Sequence, residues 1–279
     1  PTRRSSDLYN YVYIGDDSRQ FSAISIDINN YITYISFEGT DQLISGWEED
    51  FKMAYMFPVE AQKFAIRYID KYFIFNRKKL ILGGHSKGGN LALVAGMCCN
   101  FFVRNRIINI YSNDGPGLRL VELKSSKYKK IKNKFIHIIP NYSIVGLLLR
   151  HSNNYRVIVS NKKSIYAHSV VSWVVDDNKF KDSSLSDVSM VLDNSVALWL
   201  DKYDFEDRER FVKSLFDIFR KCGINNLIQF MDNNKLILDV IKKSSELTGN
   251  DRKMVLDFVN LFFNCLKEYE IEKIKNKLN

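Results

Sequence analysis

The period of the hydrophobic positions changes along the chain, and each change marks an element. Residues 9 to 40 alternate like strands. Phe21-Ser-Ala-Ile-Ser-Ile-Asp-Ile and Tyr31-Ile-Thr-Tyr-Ile-Ser-Phe, separated by Asn29-Asn30, predict a β-hairpin. From Pro58 to Phe75 the period lengthens: Ala61, Phe64, Ala65, Tyr68, Ile69 and Tyr72 recur at helical spacing. Leu80-Ile-Leu82 then reads as a buried strand, and Leu91-Ala-Leu-Val-Ala-Gly-Met as a buried helix. Three further strands follow, at Arg106–Tyr111, Phe135–Ile139 and Tyr155–Ser160. Strands alternating with helices or long crossovers imply a largely parallel sheet covered on both faces. Functional loops then belong at the C-terminal ends of the strands.

From about residue 185 the strand pattern stops. Val196–Leu200, Arg210–Phe219, Lys235–Ile241 and Met254–Leu278 read as amphipathic helices, the last ending in alternating Glu and Lys on a solvated face. The expected organisation is an α/β domain over residues 9–184 and a helical C-terminal region over 185–279, which serves as a cap or as the surface for a protein partner of unknown kind. At 279 residues and 46% hydrophobic, the chain is long enough for a sizeable core in the first of these.

Between the Leu80 strand and the Leu91 helix lies Gly84-His85-Ser86-Lys87-Gly88. This is the G-x-S-x-G nucleophile elbow, and its context is right on both sides. The serine has to sit on a tight strand-to-helix turn, and the flanking glycines let two backbones approach without a side-chain clash. The helix starting beneath the serine points its first amides at the negative charge formed during acyl transfer.

Charge adds a second feature. The formal net charge is +9 and the pI near 9.2. Lys124, Lys127, Lys129, Lys130, Lys132 and Lys134 fall within eleven residues. The ordinary reading is a solvated face; the functional one is attraction to phosphate or to an anionic membrane surface. No aromatic-interleaved basic motif supports nucleic-acid binding. Cys98, Cys99, Cys222 and Cys265 lack metal-ligand spacing, so no metal is implied, and a reduced, cytoplasmic setting is expected. Leu91–Cys99 with Phe101–Val103 is too short and interrupted to span a bilayer, and no secretory signal is visible.

A serine nucleophile needs a base, an acid to orient it and an oxyanion hole. Of the four histidines, His85 lies inside the elbow, His137 is mid-strand, and His151 follows Leu147–Leu149 on an expected helix. His168 sits in a loop after the final strand, where the base belongs. The acid is open at this stage. The loop Pro140–Val145 offers Asn141, Tyr142 and Ser143 and no carboxylate. Asp114, one strand earlier in Asn113-Asp-Gly-Pro-Gly117, serves either as the acid or as a cap of its own Gly-Pro turn through an Asx hydrogen bond. Asn141 or Ser143 orienting His168 as a neutral partner is the other option. The backbone N–H of Lys87, together with Gly39 and Thr40 at the end of Phe37-Glu-Gly-Thr40, is the expected oxyanion hole. The Lys87 side chain is either structural or meets an anionic substrate.

With these pieces in place the chain resembles the Mbeg-like family of bacterial proteins, relatives of the class 3 (fungal-type) lipases. The matching pieces are Phe37-Glu-Gly-Thr-Asp41, Gly46-Trp-Glu-Glu-Asp50, Pro58-Val-Glu-Ala-Gln62, Gly84-His-Ser-Lys-Gly-Gly-Asn90, Asp114-Gly-Pro-Gly117, Ser143-Ile-Val-Gly146 and His168 with Trp173. The resemblance implies an α/β-hydrolase fold, with Ser86 as nucleophile, His168 as base and Thr40 near the oxyanion hole. Class 3 lipases carry their acid where this chain has Asn141 to Ser143.

The resulting expectation is a serine hydrolase of acyl esters, on small molecules or lipids, using no cofactor. Two alternatives share the residues: a catalytically silent hydrolase-like binding module, and an acyltransferase or thioesterase using the same serine.

Overall fold

The structure is a computed structural model, and it describes residues 8–16, 19–39, 43–152, 154–226, 230 and 233–260. The chain divides into two units, one of Pro1–Thr40 with Pro58–Ser184 and one of Asp41–Phe57 with Leu185–Asn279.

The first unit is built on a seven-stranded sheet: β1 (Leu8–Asp16), β2 (Arg19–Asp27), β3 (Ile32–Phe37), β4 (Lys79–His85), β5 (Ile107–Asn113), β6 (Phe135–Pro140) and β7 (Tyr155–Ile158). The strands lie side by side in chain order. β1, β2 and β3 pair antiparallel, and every later neighbour pairs parallel. The β2–β3 hairpin is the one the alternation predicts: burial in β3 also alternates, with Thr33, Ile35 and Phe37 inward.

Helix α2 (Glu60–Phe73) buries Ala61, Ala65, Tyr68 and Ile69 from the stripe that the helical period predicted, with Gln62 and Phe73 beside them; Phe64 and Tyr72 of that stripe are only half-buried. Its start is held by Gln62, whose Oε1 accepts the Val59 N–H at 2.9 Å. Helix α3 (Lys87–Cys98) is buried along nearly its whole circumference, Lys87 and Asn90 included, and from Leu91 onward its residues are all apolar or small. Three short helices complete the crossovers: α4 (Phe101–Arg106), α5 (Leu120–Leu123) and α6 (Ser126–Lys129).

Helices were expected on both faces of the sheet. In this unit α3 packs against α2 on one side and α6 on the other, over the face formed by Phe37, Leu82 and Ile110. The reason is topological. When strands follow in chain order and each parallel crossover is right-handed, every crossover falls on the same side. On the opposite face Ile138 and Ile158 pack with Trp173, near a short antiparallel pair, β8 (Val175–Asp176) and β9 (Lys179–Phe180).

The second unit contains α1 (Ile44–Lys52), α7 (Asp187–Lys202), α8 (Phe205–Lys221), α9 (Asn234–Ser244) and a helical stretch over 249–260. The expected helix over Met254–Leu278 extends beyond the described residues. Side-chain caps start α7 and α8: Ser186 accepts from Ser189 N, and Asp204 from Asp207 N at 2.8 Å. Residues 41–57, placed by the sequence pattern in the first domain, belong here. Phe51 on α1 meets the rings of Phe216 and Phe258 edge-on at 5.3 and 5.7 Å, and Trp199 and Phe211 extend the cluster. Among the described residues no helix is long and apolar enough to cross a membrane.

Candidate active site

Ser86 occupies the junction between β4 and α3, with φ 58° and ψ −132°. A non-glycine residue rarely adopts this conformation, and it persists because the surroundings over-determine it. The Ser86 N–H donates to the Asn113 carbonyl at 3.0 Å, and the Ser86 carbonyl accepts from Gly89 N at 2.9 Å. The two elbow glycines have steric reasons. A Cβ on Gly84 would lie 2.3 Å from the Gly88 backbone, and one on Gly88 would lie 2.1 Å from the Phe37 carbonyl oxygen. Strand β3 therefore runs directly against the start of α3. As a result Gly39 reaches Ser86: a Cβ there would sit 3.4 Å from the Ser86 Cβ. The Lys87 amide lies in the first turn of α3. The Lys87 side chain is buried, which fits a structural role rather than a meeting with substrate from solvent. Thr40 lies outside the described residues.

Asp114 follows β5 with φ 49°, and its N–H donates to the Ile138 carbonyl at 2.8 Å. Its carboxylate is fully buried and fully engaged. Oδ2 accepts from His168 Nδ1 at 2.6 Å, while Oδ1 accepts from Ser143 Oγ at 2.5 Å and Gly146 N at 3.1 Å. These partners exclude the Asx cap of its own turn. They also correct the neutral-partner option. Ser143 turns to Asp114, and Asn141 Oδ1 accepts from Ser160 N at 3.1 Å, so neither orients His168 directly.

His168 closes a 3-10 turn, Ser164–His168, with its side chain mostly buried. Two aromatic neighbours hold it. The His85 ring lies over it with centroids 4.3 Å apart, and His85 Nε2 donates to the His168 carbonyl at 2.7 Å. Burial, helped by the nearby His168, lowers the His85 pKa, which keeps that ring neutral. Trp173 Nε1 donates to the Ala167 carbonyl at 2.9 Å, and its ring meets His85 edge-on. Among the described residues Ser86 and His168 share no hydrogen bond. Such bonds commonly tighten only when substrate binds.

Beneath the site lies a buried network that the sequence reading did not identify. Gln62 Nε2 donates to Asn90 Oδ1 at 2.7 Å, and Asn90 Nδ2 donates to the carbonyls of Pro116 and Gly117 at 3.1 and 2.7 Å. Asn90 thus ties α2 and α3 to the loop that carries Asp114. The hint was Asn90 itself, a polar residue directly before the apolar run Leu91–Met97. The other two histidines stand apart. His137 is buried on β6, with Nε2 donating to the Gly115 carbonyl at 3.1 Å. His151 is not helical, contrary to expectation: it follows Leu149, whose φ is 65°, and its ring faces His137 and Tyr155. Among the described residues no group of three or more His, Cys, Asp or Glu could hold a metal ion.

A mostly parallel sheet with a strained serine between β4 and α3 makes this an α/β-hydrolase-like protein. More narrowly, the chain belongs to the Mbeg1-like family, whose model matches residues 6–217. No curated protein matches it significantly. Among solved structures it is similar to a fungal lipase–inhibitor complex, at 14% identity over 56% of this chain and 68% of that one, with a TM-score of 0.40. It is also similar to the native Rhizomucor miehei lipase propeptide complex, at 13% identity over 60% and 65% with a TM-score of 0.40. A third likeness is to M37 lipase, at 17% identity over 46% and 50% with a TM-score of 0.36. The chain thus spans half to about two thirds of the length of these lipases.

Proposed function

We propose that this protein is a serine hydrolase of acyl esters. Ser86 attacks the ester carbonyl, and His168 takes its proton and returns it to the leaving alcohol. Asp114 holds the Nδ1–H tautomer of His168 and stabilises the imidazolium that forms. The Lys87 N–H and the Gly39 backbone face the developing oxyanion. The observation that carries this reading is the 2.6 Å bond between His168 Nδ1 and Asp114 Oδ2. It argues against a catalytically silent module, because that alternative rested on the lack of a carboxylate in the loop after β6.

Fluorophosphonate labelling tests the reading. Wild type should label covalently, and Ser86→Ala and His168→Ala should not. A folded wild type that fails to label would sink the proposal. Transfer to an alcohol or thiol uses the same residues, and acceptor competition with water separates it from hydrolysis.

A further inference from the structure

We infer that the end of the sheet opposite Ser86 is a docking surface for an anionic lipid bilayer. Strands β3 to β6 all begin at one end, and Ser86 leaves β4 at the other. The seven residues of β4 put about 20 Å between the two ends. Four segments enter at the first end: 28–31, 74–79, 99–106 and 129–134. They are joined to one another. Lys79 N donates to the Tyr31 carbonyl at 2.8 Å, Arg106 donates to the Lys78 carbonyl at 3.2 Å, and Lys134 Nζ donates to the Arg104 carbonyl at 3.3 Å.

These segments contain Arg77, Lys78, Lys79, Arg104, Arg106, Lys129, Lys130, Lys132 and Lys134, and no carboxylate at all. Among the described residues two carboxylates from neighbouring elements reach them. Asp27 pairs with Lys78 at 2.5 Å, and Asp70 accepts the Asn100 N–H. Lys129, Lys130 and Lys132 are exposed and form no ion pair among the described residues.

Large apolar side chains stand among the cations. Phe75 is 94% exposed, Tyr31 77% and Phe102 68%, and Ile28 and Phe101 are each more than half exposed. Leaving five such groups in water is costly. A basic surface studded with aromatic and aliphatic side chains suits the headgroup layer, where phosphates meet the lysines and rings enter the acyl boundary. Single-stranded nucleic acid fits less well. It needs ring platforms along one groove, whereas these side chains are split among three segments (Ile28 with Tyr31, Phe75, and Phe101 with Phe102), one of them the aliphatic Ile28. The contiguous run Lys124–Lys134 contributes only its second half to this surface.

The inference does not depend on the hydrolase reading, so Ser86→Ala should bind vesicles as wild type does. The test is sedimentation of the full chain with phosphatidylcholine vesicles, with and without phosphatidylglycerol as roughly a third of the lipid. Binding should need the anionic lipid and weaken with salt. Combined Lys129→Ala, Lys130→Ala and Lys132→Ala should lower the partition coefficient about a hundredfold, and Phe75→Ser about tenfold. Leu238→Ser, at an exposed site in the helical unit, should change nothing. Equal binding to neutral vesicles, or a triple variant that binds like wild type, would overturn the inference. So would binding to a single-stranded oligonucleotide with both vesicles ignored.

Discussion

Asp114 and His168, 54 residues apart, are joined by a 2.6 Å bond between a fully buried carboxylate oxygen and Nδ1. The carboxylate comes from the end of β5 rather than from the loop after β6. That loop instead contributes Ser143, which donates to the other oxygen of the same carboxylate.

Asp114→Asn keeps the shape of this arrangement and removes its charge. The amide can also present a donor to Nδ1 and favour the wrong tautomer. We expect kcat to fall about 10³- to 10⁴-fold with KM little changed. Ester turnover under saturating substrate, with circular dichroism to confirm folding, checks this.

Ser143→Ala leaves one lone pair of a buried carboxylate without its hydroxyl donor. Stability should drop by about 1–3 kcal/mol, and kcat/KM by about tenfold. Asn141→Ala, whose side chain serves the Ser160 amide, should lose about 1 kcal/mol of stability and keep its kcat. Urea titration beside steady-state kinetics separates the two. Equal kinetic loss in both would remove the positioning role of Ser143.

Asn90→Ala breaks the Gln62–Asn90–Pro116/Gly117 network and strands a buried donor on α2 and two carbonyl acceptors in the loop after β5. A loss of about 3 kcal/mol is expected. Because Asn90 grips the Asp114 loop, kcat should fall as well. Conserved kcat in the folded variant would show that the loop holds its place without the network.

His137 makes stability depend on pH. Its Nε2 donates to Gly115 and its buried Nδ1 has no partner, so a second proton would place an unsatisfied charge in the core. Burial, aided by the neighbouring His151, pushes its pKa down to about 4 from 6.5. The sign follows from the proton count. Between pH 6.5 and about 4 the unfolded chain binds more protons at this residue, so stability is intact above 6.5 and is lost as pH falls toward 4. By pH 5 the loss should reach about 2 kcal/mol. His85, shifted in the same direction, adds to it. Thermal melts at pH 7 and pH 5 should show the drop in wild type and a smaller one in His137→Gln.

Much of the fold and the core of the candidate site are legible in the sequence because they are local. An alternating hairpin, a stripe at helical spacing and a glycine-flanked serine between an apolar strand and an apolar helix each lie within one continuous segment. His168 could also be singled out, as the histidine in the loop after the final strand. Three things needed the tertiary structure. The partner of His168 was ambiguous, because Asp114 in Asn-Asp-Gly-Pro-Gly suits a local turn as well as it suits catalysis. Only the side-by-side order of β5 and β6 aims its carboxylate at His168 and Ser143 together. Residues 41–57 read as part of the sheet domain until Phe51 is seen against Phe216 and Phe258, aromatic partners more than 160 residues away. The basic end of the sheet is spread over four segments, none of which is remarkable in the linear chain apart from the lysine run. Parallel strands gather their entry loops at one end, so a surface assembled there follows from topology, which no local pattern encodes.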